Sequence, residues 1–165
     1  MSSREQRLLN AAVAIQLILL LYLEVVEWVN LYPWNDNRSG NSQPILDFAL
    51  GFIVLVGAFA TYRRRKPGIV AIIVLYVLWL GLQVISFWIP YVAGASESWR
   101  KVYEANFAQT VQWLPRMGNH FPPDANHVVL QLLLVAAIAF NVAALLRVGK
   151  KKQVVLARQP SDVFQ

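Results

Sequence analysis

The chain is predicted to be an all-α integral membrane protein, a four-transmembrane-helix bundle with an extra amphipathic helix in its second extracytoplasmic loop. Three observations carry that prediction. The 165 residues are 57% hydrophobic and only 15% charged, far more apolar than an average soluble domain. Four apolar stretches, near 11–32, 45–62, 68–90 and 127–147, are long enough to cross about 30 Å of hydrocarbon at roughly 1.5 Å per helical residue. Eleven of the fifteen Lys and Arg sit beside one set of span ends: Arg4 and Arg7, the Arg63–Lys66 turn, Arg147, Lys150–Lys152 and Arg158. Basic residues near span ends stay cytoplasmic, so both termini and the 63–67 turn are placed inside, in a multi-pass protein of the cell membrane. Residues 1–150 then form one bundle and 151–165 a short cytoplasmic tail.

The first span carries Gln16, Glu24 and Glu27 in an otherwise apolar run. Read as a removable signal peptide it is too long, and no small-x-small cleavage site follows it. The outer loop 33–44, PWNDNRSGNSQP, lies between Pro33 and Pro44 and reads as an irregular turn. The second span, 45–62, is the shortest; Asp47, Gly51, Ala58 and Thr61 share one of its faces, where small residues let helices approach closely. After the basic turn, the third span groups Tyr76, Trp79, Gln83 and Ser86.

The second outer loop, 91–126, differs in kind. From about Ser96 to Leu114 the apolar Trp99, Tyr103, Phe107, Val111 and Leu114 recur at helical spacing, with Glu97/Lys101 and Arg100/Glu104 as i,i+4 pairs on other faces. This predicts an amphipathic helix outside the membrane. Trp99, Tyr103 and Phe107 either lie at headgroup level or form a lid over the bundle mouth. Pro115, Gly118 and Pro122-Pro123 end the helical pattern. Asp124 then stands where it can cap the fourth span, which carries His127, Gln131 and Asn141.

Composition removes several chemistries. The absence of cysteine rules out disulfides, thiolate metal sites, iron–sulfur clusters and the thiol centres of four-helix membrane oxidoreductases. Two histidines are too few for a histidine-rich di-iron centre. No phosphate-loop, dinucleotide, zinc-protease or serine-hydrolase motif occurs, so the sequence points to no cofactor. A net charge of +6 invites a nucleic-acid reading, but juxtamembrane clusters without a nucleic-acid motif are explained by topology and anionic lipid.

At about 100° per residue, Gln16, Glu24, Glu27 and Asn30 fall within a sector of roughly 120°. Every span has one such polar or small stripe, and polar groups facing lipid would lack partners, so the stripes turn inward. By depth, Glu24, Glu27, Asp47, Gln83, His127 and Gln131 fall together in the outer half. They predict a polar, net acidic pocket open or lidded toward the outside, binding a ligand or ion above an inner plug broken only by Gln16 and Asn141. Glu24, Glu27, Asp47 and His127 are also the candidate ligands for a metal. Each residue has a structural reading too. The glutamates serve as ties to Gln83, Gln131 or loop arginines, Asp47 as a favourable charge at a helix start, and His127 or His120 as a donor to a loop carbonyl. Trp28, Trp34, Trp88, Trp99 and Trp113 make an outer aromatic belt, and Gln16 and Asn141 interhelical hydrogen bonds.

Three functions fit this pattern. The first is a protein that binds or moves a small cationic solute, a proton, metal ion or organic cation, which carboxylates attract by charge and aromatic rings by their quadrupole. The second is a membrane enzyme acting on a lipid or isoprenoid with Glu/His acid–base or metal chemistry. The third is an accessory subunit of a larger membrane complex, or a homo-oligomer. The partners implied are the bilayer and a small solute or lipid, with no nucleic acid.

Overall fold

The computed structural model describes residues 3–36 and 44–156 and is all-α over them. Helices α1 (Ser3–Trp28), α2 (Pro44–Tyr62) and α3 (Lys66–Gln83) are followed by a π-helical turn (Val84–Trp88) that runs straight into α4 (Ile89–Ala93). Then come α5 (Glu97–Asn106) and the long α6 (Ala125–Leu156). Three stretches are long and apolar enough to cross a membrane: Glu5–Trp28, Lys66–Ala93 and Ala125–Val148. The apolar part of α2, Asp47–Tyr62, is shorter. Residues 1–2, 37–43 and 157–165 lie outside the described residues.

Helix α1 packs against α2 and α6, and α3 packs against the same two. Leu19, Val54, Tyr76 and Leu134 meet in the middle, one from each long helix. The burial pattern is inverted relative to a water-soluble protein. Leu21, Phe52, Leu78 and Leu132 are 60–66% exposed, whereas Gln16, Thr61 and Asn141 are fully buried. Apolar side chains outside and polar ones inside suit a hydrocarbon solvent, so the chain is read as membrane-embedded.

The buried polar residues form one closed tie. Gln16 Nε2 lies 3.1 Å from Thr61 Oγ1, from Asn141 Oδ1 and from the Ala12 carbonyl, and the Tyr76 hydroxyl reaches Gln16 Oε1 at 3.3 Å. Thr61 lies 3.0 Å from both Asn141 Oδ1 and the Gly57 carbonyl, and Asn141 Nδ2 donates to the Ala137 carbonyl at 2.8 Å. Each of the four long helices contributes one side chain. Gln16 and Asn141 are therefore interhelical partners, joined by Thr61 and Tyr76.

The α2–α3 hairpin is tight because two glycines face it. A Cβ on Gly57 would lie 2.6 Å from Ile72, and one on Gly68 would lie 2.5 Å from the Ala60 Cβ. The turn itself takes Arg64 to φ 56°, and the Arg65 N–H closes onto the Ala60 carbonyl at 2.9 Å.

Four predicted boundaries need correction. Helix α1 stops at Trp28, not near 32, because the Asn35 amide takes the Val26 and Val29 carbonyls and the Leu31 N–H donates to Asn35 Oδ1. Asn30 therefore leaves the polar face of α1. Helix α6 runs to Leu156, through a lysine run that favours helix, so the tail expected from 151 is helical at its start. The third span extends to Ala93 through a π turn, because Pro90 has no N–H and its ring would clash with the carbonyl four residues back. That turn rotates the rest of the span about its axis, and Ser86 falls on an exposed side rather than with Tyr76 and Gln83.

The helix expected over 96–114 ends at Asn106. Tertiary hydrogen bonds outcompete its continuation. The Val111 N–H donates to the Pro33 carbonyl at 2.9 Å, and the Val111 carbonyl accepts from the Ala125 N–H at 2.7 Å. Residues 107–124 thus become a strap joining the segment after α1 to the start of α6.

Candidate functional site

The C-terminal end of α1, the π turn that follows α3 and the start of α6 meet beneath this strap. Asp124, only 2% exposed, is the hub. Its Oδ1 accepts the His127 backbone N–H at 2.9 Å, capping α6, and accepts His127 Nδ1–H as well; its Oδ2 accepts the Thr110 hydroxyl at 3.2 Å. The His127 ring is boxed by two aromatic rings: Phe87, from the π turn, lies 4.0 Å away centroid to centroid, and Phe107 meets it edge-on at 5.2 Å. Carboxylate, imidazole and rings thus fix one orientation.

One turn along α6, Gln131 accepts the Trp88 indole N–H at 2.7 Å. Its Nε2, the Oε1 of Gln83 and the hydroxyl of Tyr103 are buried without a hydrogen-bond partner among the described residues. All three lie toward the same end of the bundle as His127. Gln83 lies one turn before Phe87, Gln131 one turn after His127, and the Tyr103 ring is 5.9 Å from Phe107. Such orphaned atoms are rare in a native interior and ask for an explanation.

The carboxylates stand on the neighbouring side. Glu24 is half-buried against α2, where a Cβ on Gly51 would come 2.5 Å from its Oε1, so only glycine leaves that seat open. Glu27, also half-buried, sits within electrostatic reach of Asp47, His127 and Glu24. No Lys or Arg occurs in 8–36, 44–62, 67–96 or 117–146.

Above lies α5. Ser96 caps it by accepting the Trp99 N–H at 3.2 Å. Tyr103 is fully buried, and Trp99, Tyr103, Phe107 and Phe121 stack into one cluster that reaches Phe87. Burial, reinforced by Asp124 and opposed by Arg116, pushes the Tyr103 hydroxyl up to about 12. Arg116 also binds Glu104 at 3.1 Å and lies 4.0 Å over the Phe121 ring, pinning the strap to α5.

Other predicted residues take structural places. His120 donates Nδ1–H to the Tyr91 carbonyl at 2.8 Å, holding the strap to α4. Trp34 donates to the Tyr22 hydroxyl at 3.2 Å and packs edge-on against Trp113, while Trp28 stands beside Phe48. Tyr22 reaches Asn126 Oδ1 at 2.6 Å and so faces the start of α6. Among the described residues, no group of three or more His, Asp or Glu gathers closely enough to hold a metal ion. Sequence reasoning missed Phe87, Thr110, the bond from Trp88 to Gln131 and the pairing of Asp124 with His127. The Asp-x-x-His spacing at a helix start was the available signal for that pair.

Compared with known proteins, the chain matches no family model, no curated protein and no solved structure. The site is therefore read from its own residues.

Proposed function

We propose that this is a four-span membrane protein that binds a small cationic solute at an outward-facing site under the α5 lid. The spanning role of α2 rests on register. Gly51 lies beside Glu24 near the outer end of α1, and Thr61 beside Gln16, which stands deeper by the rise of eight helical residues, about 12 Å. Helix α2 descends alongside α1 over that depth, and α3 starts at the basic turn and climbs back. An even number of crossings leaves both termini cytoplasmic, as the basic clusters require. A periplasmic reporter inserted at 36–42 is expected to be active and one fused after Arg158 silent; the opposite pattern inverts the site.

The observation that carries the binding reading is the trio of orphaned buried atoms, Gln83 Oε1, Tyr103 OH and Gln131 Nε2, at the end of the bundle where Glu24, Glu27 and Asp47 lie within electrostatic reach of one another and of His127. A solute bearing both donors and acceptors satisfies the first group, and a positive charge satisfies the second. The closed Gln16–Thr61–Tyr76–Asn141 tie beneath supports binding or exchange at the outer face over an open path through the bundle. Glu24, Glu27 and Asp47 attract the charge, Gln83, Gln131 and Tyr103 orient the solute, and Trp99, Tyr103 and Phe107 cover it.

Calorimetric titration of the purified protein with protonated ethanolamine, which carries a charge with hydrogen-bonding groups, and with tetraethylammonium, which carries the charge alone, tests this. Saturable binding of at least one is expected, weakened about tenfold or more in Glu24→Gln and Glu27→Gln, which keep volume and hydrogen bonding but lose charge. Gly51→Ala, which displaces the Glu24 carboxylate, should weaken the same binding while leaving the fold intact. Undiminished binding in all three variants, or none in the parent, contradicts the proposal.

The Asp124–His127 pair favours a second reading, a membrane enzyme in which an imidazole oriented by a buried carboxylate is the acid or base. It requires that His127→Gln abolish turnover of a lipid or isoprenoid substrate while solute binding persists.

A further inference from the structure

Away from the outer site, a groove of about 280 Å³ runs along the lipid-facing side between α2 and α3. Its floor and walls include Gly57, Ala60, Gly68 and Ala71, with Ile53 and Leu75 at the far end, all apolar. Ala60 and Gly68 flank the α2–α3 turn, so the groove opens directly below Arg63, Arg64, Arg65 and Lys66. Arg63 and Arg65 are exposed there, and the Arg63 guanidinium stacks 5.9 Å from the Phe59 ring. Arg64 is turned away, bound to Gln6 Oε1 of α1 at 2.8 Å.

We infer that this groove and turn form a binding site for one anionic phospholipid, its acyl chain in the α2–α3 groove and its headgroup phosphate on Arg63, Arg65 and Lys66. The inference is independent of the outer site and needs only that these helices lie in a bilayer. An apolar channel beneath a cationic rim matches the two halves of such a lipid, and basic pockets between helices at the cytoplasmic surface are suited to anionic headgroups. A second copy of the chain is the poorer occupant. The membrane forces both copies into the same orientation, and a two-fold contact along this groove would press two turns of four positive charges together.

The test is native mass spectrometry of the full chain released from nanodiscs of phosphatidylcholine with phosphatidylglycerol. The parent should retain one phosphatidylglycerol in preference to phosphatidylcholine by about tenfold. Replacing Arg63, Arg65 and Lys66 together with Gln should erase the preference, and Ala71→Phe, which fills the groove from its exposed side, should remove the adduct of either lipid. A charge variant that keeps the preference overturns the proposal. So does an Ala71→Phe variant that keeps the adduct, or a parent that leaves the nanodisc as a lipid-free dimer which Ala71→Phe dissociates.

Discussion

Asp124→Ala is expected to destabilise the protein by about 2–4 kcal/mol, combining loss of a helix cap with loss of a buried acceptor shared by several donors. The residue is almost fully buried, and its carboxylate takes the His127 N–H, the His127 ring and the Thr110 hydroxyl at once. Removing it orphans the His127 N–H and ring and frees the Thr110 hydroxyl to the Phe107 carbonyl alone, leaving the Val111–Ala125 bond as the remaining tie between strap and α6. Asp124→Asn keeps one acceptor oxygen for the cap and should cost about 1 kcal/mol. Thermal unfolding in one detergent compares the three proteins. An Ala variant that melts with the parent would mean that Asp124 holds nothing together.

The second large effect concerns the lid. Trp99 and Phe107 pack on Phe87, Phe107 also meets His127, and Tyr103 is fully buried among Trp99, Phe107 and Phe121. Replacing all three with Ser removes most of the apolar surface that docks α5, so the helix should detach. A thiol introduced by Gln83→Cys should then react with water-soluble reagents faster by about an order of magnitude or more, as expected when a covering element opens. The chain has no cysteine of its own, so the label reports that position alone. Unchanged reactivity would show that α5 does not gate access to Gln83.

The sequence made the architecture legible where one rule dominates. Length and apolarity located the long helices, Pro44 and the Arg63–Lys66 turn fixed their joints, and the polar positions Gln16, Thr61 and Asn141 predicted inward faces that do meet. Asp124 was legible as a cap. What escaped was set by contacts between distant segments. The end of α1 is decided by Asn35, seven residues beyond it, and the end of α5 by hydrogen bonds from Val111 to Pro33 and Ala125. The π turn before Pro90 changed the phase of the third span, which carried Phe87 and Trp88 onto α6 and Ser86 off the polar stripe. A regular 3.6-residue period cannot anticipate that shift. The seat of Glu24 against Gly51 was visible only as two residues on two different stripes.

One measurement tests directly whether the site is net acidic and reached from the outer side. In proteoliposomes of fixed orientation, the Gln83→Cys thiol is reacted with two methanethiosulfonates of similar size, one bearing trimethylammonium and one bearing sulfonate. With Glu24, Glu27 and Asp47 intact, the cationic reagent added outside should react about tenfold faster than the anionic one, since a cleft of one charge sign concentrates its counter-ions. Glu24→Gln with Glu27→Gln should abolish the difference. Equal rates for both reagents in the parent, a faster anionic reagent, or labelling only from the cytoplasmic side would contradict the account.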